Sequence, residues 1–291
     1  MSTNQSCFFR PGDCEDLSYK YIRDLPHHEQ SREFVESLWS LYHTFADRHF
    51  LEDAKAHFLE RYWEMYLGVA LLNRGLQLVR SGNEGPEFYF VHNHRKIWVE
   101  AVAPGPGTTS ERVPEIQYGE VSLVPTEKIL LRFTNAIVEK RQKYLTALSR
   151  GIIRPSDLYL LAINSRRIPH APLGNTIPFF VQALLPFGNL AVFIDKNTGE
   201  ISDTFYQSRE CVIKESGAPV STKAFLEPQF GFVSAVLHSA VDCVNRPQLL
   251  GGDFSVLHNP LASHSLDRTI FRWCEQMFYR EGIIEKTPGS S

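Results

Sequence analysis

From Tyr62 to Leu72 the chain reads Tyr-Trp-Glu-Met-Tyr-Leu-Gly-Val-Ala-Leu-Leu, with Glu64 as the sole charge. The spacing predicts a helix over about 51–72, amphipathic at first and apolar nearly all round from Tyr62, with Asn73-Arg74-Gly75 as its stop. A helix without a polar face has to be enclosed on every side. The chain must therefore build layers over it, and 291 residues suffice for a sizeable core. Within that helix a carboxylate stands where the pattern asks for an apolar side chain.

Two more acids break the local pattern in the same way. Three extended segments are predicted after the helix, at Leu76–Arg80, Glu87–Val91 and Arg95–Val102. The last two are separated by His92-Asn93-His94, the length of a tight hairpin. In the third segment Trp98, Glu100 and Val102 share a face that is apolar apart from the glutamate. Glu87 follows Gly85-Pro86 at the head of the second. A long loop over 103–125 precedes a helix from Thr126 to about Ser149, whose apolar stripe of Ile129, Phe133, Ile137, Tyr144 and Leu148 holds Lys140. The apolar run 157–163 suits a buried strand.

Unpaired buried acids are rare, and mutual repulsion among Glu64, Glu87 and Glu100 is relieved only by a cation or a lysine. The cluster therefore reads as a metal site. Structural readings stand beside it: a solvent-facing strand edge for Glu100, an ion pair with Arg61 or Arg74 for Glu64, and a turn for Glu87. Lys140 has its own alternative as a long amine snorkelling out of the stripe.

The order α-β-β-β-α-β over 51–164, with acids at these stations, resembles the PD-(D/E)XK, or restriction-endonuclease-like, nuclease superfamily. The resemblance carries Glu64 onto the helix glutamate, Pro86-Glu87 onto "PD", and Glu100 onto the acid of "(D/E)xK". Val102 stands where the motif lysine belongs, and Lys140 fits the relocation of that lysine to the following helix known in the family. The resemblance implies an α/β fold with a C-terminal strand-rich elaboration, and metal-dependent hydrolysis of nucleic acid, DNA first. It makes Glu64, Glu87, Glu100 and Lys140 catalytic, with the three glutamates as ligands of Mg²⁺ or Mn²⁺. A second class stands open: a nuclease-like fold without catalysis that binds nucleic acid or protein.

Charge adds a footprint. The chain is −3 overall, yet 126–168 holds nine Lys/Arg against three acids. Arg132, Arg141, Lys143, Arg166 and Arg167 are the candidates for gripping a phosphate backbone, and a solvated helix face is the plain alternative. Five scattered cysteines with no CxxC pair argue against a disulfide framework and fit a reducing, cytoplasmic setting. No apolar run approaches a membrane span.

The organisation expected is an N-terminal helical extension over 1–50, a core over 51–168 and an elaboration over 169–291 packed on it. Residues 1–28 read as a surface wrap, and Ser31 as the cap of a helix bearing Phe34, Val35, Leu38, Trp39 and Tyr42. Beyond 170, extended runs are expected at 190–194, 211–214, 231–237 and 254–257, with a helix near 179–185 and a final amphipathic helix over about 267–280.

Overall fold

A computed structural model of the chain describes residues 7–82, 85–117, 119–173 and 176–290. Four helices come first: α1 (Leu17–Asp24), α2 (Glu29–Tyr42), α3 (Phe50–Ala56) and α4 (Phe58–Asn73). Strands β1 (Val79–Arg80), β2 (Phe88–His92) and β3 (Arg95–Val102) follow, then the long helix α5 (Thr126–Ser149) and β4 (Leu158–Asn164). The rest comprises the short helix α6 (Phe179–Gln182), β5 (Phe187–Ile194), β6 (Ile201–Ser208), β7 (Cys211–Ile213) and β8 (Pro219–Ser221). It ends with β9 (Ala235–Ser239), β10 (Ser255–His258), β11 (Glu275–Arg280) and β12 (Ile283–Thr287).

The molecule is mixed α/β around one sheet of order β1-β2-β3-β4-β9-β10-β11-β12. β1–β2 and β2–β3 are antiparallel pairs, and β3–β4 and β4–β9 are parallel pairs. Parallel neighbours need a crossover; α5 provides the one between β3 and β4. The period-2 alternation of the strands splits the core. Val99, Ala101, Leu160 and Ala162 face the layer of α1–α4, while Leu161, Ile163 and Val236 face α5 and α6. From Tyr62 to Leu71 every residue of α4 is buried, under α2 and α3 and against β3. The enclosure that its composition demands is thus supplied. Among the described residues no helix is long and apolar enough to cross a membrane.

Several expectations need correction. The single helix over 51–72 is two helices, broken at His57 (φ −136°, ψ 55°). The reason lies in the segment read as a surface wrap. Asp16 caps α1 through Ser18 N–H and Tyr19 N–H, and its other oxygen takes the Phe58 N–H at 3.0 Å, so one carboxylate caps two helices. Phe8 and Tyr19 are fully buried, and Glu36 accepts the Phe8 and Phe9 N–H groups. Residues 7–28 are therefore a wrap anchored in the core by Phe8, Phe9, Tyr19 and Ile22, and residues 1–6 lie outside the described residues.

Ser31 is not a cap. A 3₁₀ turn at Pro26–His28 starts α2 two residues earlier, which leaves Ser31 buried inside the helix. The final helix is also absent. Ile270, Phe271, Cys274, Met277 and Phe278 mimic helical spacing, but β11 pairs with β10 and folds back through Glu281-Gly282, both at positive φ, into β12. That two-residue turn is the geometry a hairpin favours, and pairing with an open strand overrides local preference. β6, likewise unforeseen, completes a hairpin with β5.

Gly68 marks the tightest approach in the helical layer. A Cβ there meets the Tyr42 ring at 2.6 Å. We expect Gly68→Ala to destabilise the protein by about 1–3 kcal/mol through overpacking, read as a lowered urea midpoint. An unchanged midpoint contradicts this packing.

Candidate active site

Three elements deliver ionisable groups to the ends of β2 and β3. From the helical layer, α4 presents Glu64, 8 % exposed. Its two oxygens take the Tyr42 hydroxyl at 2.7 Å and the Arg61 guanidinium at 2.8 Å. Arg61 also holds Asp53 at 2.6 Å. Burial raises the Glu64 carboxyl above its ordinary range against the opposing pull of Arg61 and Tyr42. The ion pair weighed for Glu64 is present, with Arg61 and not Arg74.

Glu87 precedes β2, where the β2–β3 ladder runs out. Its Oε2 accepts the Ala101 N–H at 2.8 Å, so a side chain stands in for the missing strand acceptor. Burial first, and the Glu100 charge second, push its carboxyl up to about 8, although Lys140 and the Ala101 N–H pull the other way. Part of the side chain still lines open space, so the group is enclosed without being sealed.

Glu100, 3 % exposed, lies mid-strand on the face toward α5 and forms an ion pair with Lys140, itself 8 % exposed. Burial pulls the Lys140 ammonium down, but the charges of Glu100 and Glu87 outweigh it and hold it above its ordinary value. Lys143, one helical turn on and 66 % exposed at its side chain, reaches within 3.6 Å of the same Glu100 oxygen. Val102 contributes only an apolar wall.

Glu64, Glu87 and Lys140 line one cavity of ≈ 400 Å³, with Arg61, Arg132 and Lys143 among its other walls. Glu100 does not line it but is joined to it through its ion pair with Lys140. Residues scattered from 64 to 140 in the sequence are thus brought together. Among the described residues, no group of three or more His, Cys, Asp or Glu side chains is arranged to hold a metal ion. Here Glu64 is engaged by Arg61 and Tyr42, and Glu100 by Lys140. The donor chemistry of Glu87 and Glu100 nonetheless suits a hard cation. Glu87 lines the cavity beside Lys140, which Glu100 pairs, and burial followed by the Glu100 charge holds the Glu87 carboxyl up.

The basic residues divide. Arg132 and Lys143 line the cavity, and Arg132 is oriented by the Gly105 carbonyl at 2.8 Å. Arg167 pairs with Glu60, a residue of the cavity rim. Arg166 is held by Asp242 at 2.6 Å and Arg141 approaches the Gln229 carbonyl at 3.4 Å; neither lines the cavity. Tyr42, Glu60 and Glu139 were not foreseen as site residues. Glu60 and Glu139 stand four residues before Glu64 and Lys143 on their helices, which is a usable signal. Nothing local points Tyr42 at Glu64, 22 positions away.

Comparison with protein-family models, with curated proteins and with solved structures found no match.

Proposed function

We propose that the chain hydrolyses phosphodiester bonds in nucleic acid, DNA first, at the cavity between α4, β2–β3 and α5. The observation that carries the reading is the meeting of Glu64, Glu87 and the Lys140–Glu100 pair at that one place. The element order supports it: α4, an antiparallel β1-β2-β3 meander, the crossover α5 and a parallel β4 come in the order that the resemblance to restriction-endonuclease-like nucleases implies, with Lys140 on the helix in place of Val102.

Glu87 and Glu100 would hold Mg²⁺ or Mn²⁺, with Glu64 as a third acid. Bound there, the cation polarises a phosphoryl oxygen and lowers the pKa of its water. The protein's own groups do the rest. Glu87 gives up its proton to become a ligand. Lys140, held in place by Glu100, would donate from its ammonium toward the oxygens on which charge develops. Arg132 and Lys143 at the mouth hold the flanking phosphates.

In the test, purified protein is incubated with plasmid, linear and single-stranded DNA and Mg²⁺ or Mn²⁺. Glu100→Gln is expected to lower cleavage by at least about 100-fold with an unchanged circular-dichroism spectrum. Equal cutting by the Glu100→Gln/Lys140→Met protein overturns the assignment.

One observation favours a second reading, a non-catalytic binding module: Glu100 is neutralised by Lys140 within the protein itself, and Val102 occupies the place of the motif lysine. That reading predicts no heat on titrating Mn²⁺ into the protein.

A further inference from the structure

A second recess opens on the other side of Glu100. It measures ≈ 480 Å³ and shares two residues with the site's machinery: Glu100, the partner of Lys140, and Lys143, which also lines the first cavity. Its floor is largely apolar, lined by Tyr144, Tyr159, Ala147 and Ile153. Tyr144 is clamped in place, stacked on Phe232 at 4.2 Å between ring centroids and edge-on to Tyr159 at 5.3 Å. The rim is polar and cationic, with Gln142, Thr146, Lys143 and Arg150 on successive turns of α5 and just after it.

An aromatic floor under an amide, a hydroxyl and cations is the chemistry that takes a heteroaromatic ring, by stacking or apolar contact below and hydrogen bonds at its edge. The first cavity carries the chemistry for a phosphate. Lys143 stands at the junction, so a ring in the recess and a phosphate in the cavity are adjacent along one strand.

We infer that this recess receives one unpaired base of the substrate, which makes the preferred substrate single-stranded or locally unpaired nucleic acid. A base inside a duplex is stacked on both faces and cannot enter without being flipped out, at a cost of unpairing. The inference rests on the nucleic-acid reading of the neighbouring cavity and narrows it. It also gives work to Gln142 and Tyr144, for which phosphodiester hydrolysis alone has no use.

The test measures binding of the full chain in EDTA, without cleavage. A labelled strand of about 15 nucleotides carrying 2-aminopurine is compared with the same strand in a duplex. The single strand is expected to bind at least about tenfold more tightly, with a change in 2-aminopurine emission. Gln142→Ala, at an exposed position, and Tyr144→Leu are each expected to weaken single-strand binding by about fivefold or more and to abolish the emission change. Should Tyr144→Leu fail to fold, Gln142→Ala carries the test.

Equal affinity for strand and duplex overturns the inference, as does an unchanged emission or wild-type binding by Gln142→Ala. If duplex is bound and cut in a Glu100-dependent way, this inference falls and the nuclease reading stands. If strands bind through the recess but no cation supports cutting, the reverse holds. Absence of any nucleic-acid binding removes both.

Discussion

Lys140→Met lowers the stability of the folded protein at pH 7 by about 3–5 kcal/mol, whereas Lys140→Met/Glu100→Gln recovers most of that loss. This is the expected result of urea melts on the two variants. Glu100 is 3 % exposed, so water cannot solvate a carboxylate left without its partner. Met matches the length and apolar stem of lysine closely enough to fill the stripe on α5, which confines the change to the charge. Removing both charges removes the penalty, and adding Glu100→Gln alone completes the double-mutant cycle that gives the coupling energy of the pair. Lys143 works against the effect: at 3.6 Å from the same oxygen it can move in, which places the loss toward the lower end of the range. Its own removal is expected to cost under about 1 kcal/mol, because most of that side chain is in solvent. Single and double variants of equal stability would show that Glu100 finds relief elsewhere and that the pair is not the centre of the site.

The second large effect concerns pH. Glu87 is raised from an ordinary 4.5 to about 8, so the folded state retains a proton that the unfolded chain releases. Below about 4.5 both states carry it. As pH climbs from there toward 8 the unfolded chain ionises first, and the folded state loses ground until its own carboxyl ionises. Glu87→Gln lacks the titration and can still accept the Ala101 N–H through its amide oxygen. We expect the variant to match the parent near pH 4.5 and to exceed it by about 2–4 kcal/mol at pH 9, measured as the pH dependence of the difference in unfolding free energy. A difference that stays constant with pH contradicts the account. The same proton links to cation binding. Titrating Mn²⁺ near pH 7 in buffers of different ionisation heat should show proton release, with affinity rising as pH passes 8.

What the sequence discloses of this site follows from the range of the forces involved. Helix α5 and the face of β3 are written in local periodicity, so Lys140 and Glu100 are visible as misfits in otherwise apolar stripes. Glu64 is visible for the same reason, and the short separator His92-Asn93-His94 announces a hairpin, which turns at Asn93-His94 with both residues at positive φ. The contacts that finish the site are long-range. Tyr42 reaches Glu64 across two helices, and Asp16 fixes the start of α4 from 42 positions away. The orientation of Glu87 depends on where the ladder with β3 stops. No window of neighbouring residues contains that information. The C-terminal error has the opposite cause: helical spacing at 270–278 is real, but the open edge of β10 claims those residues as a strand.

The sheet has one further implication. β4, which closes the α5 crossover, is an interior strand, flanked by β3 from one half of the sequence and β9 from the other. Ending the polypeptide after β4 would strip that strand of a neighbour and uncover a row of unsatisfied amides and carbonyls. The catalytic candidates all come from the first 143 residues, yet they are not a portable cassette; whoever grafts, splits or shortens this protein has to carry its distal half along.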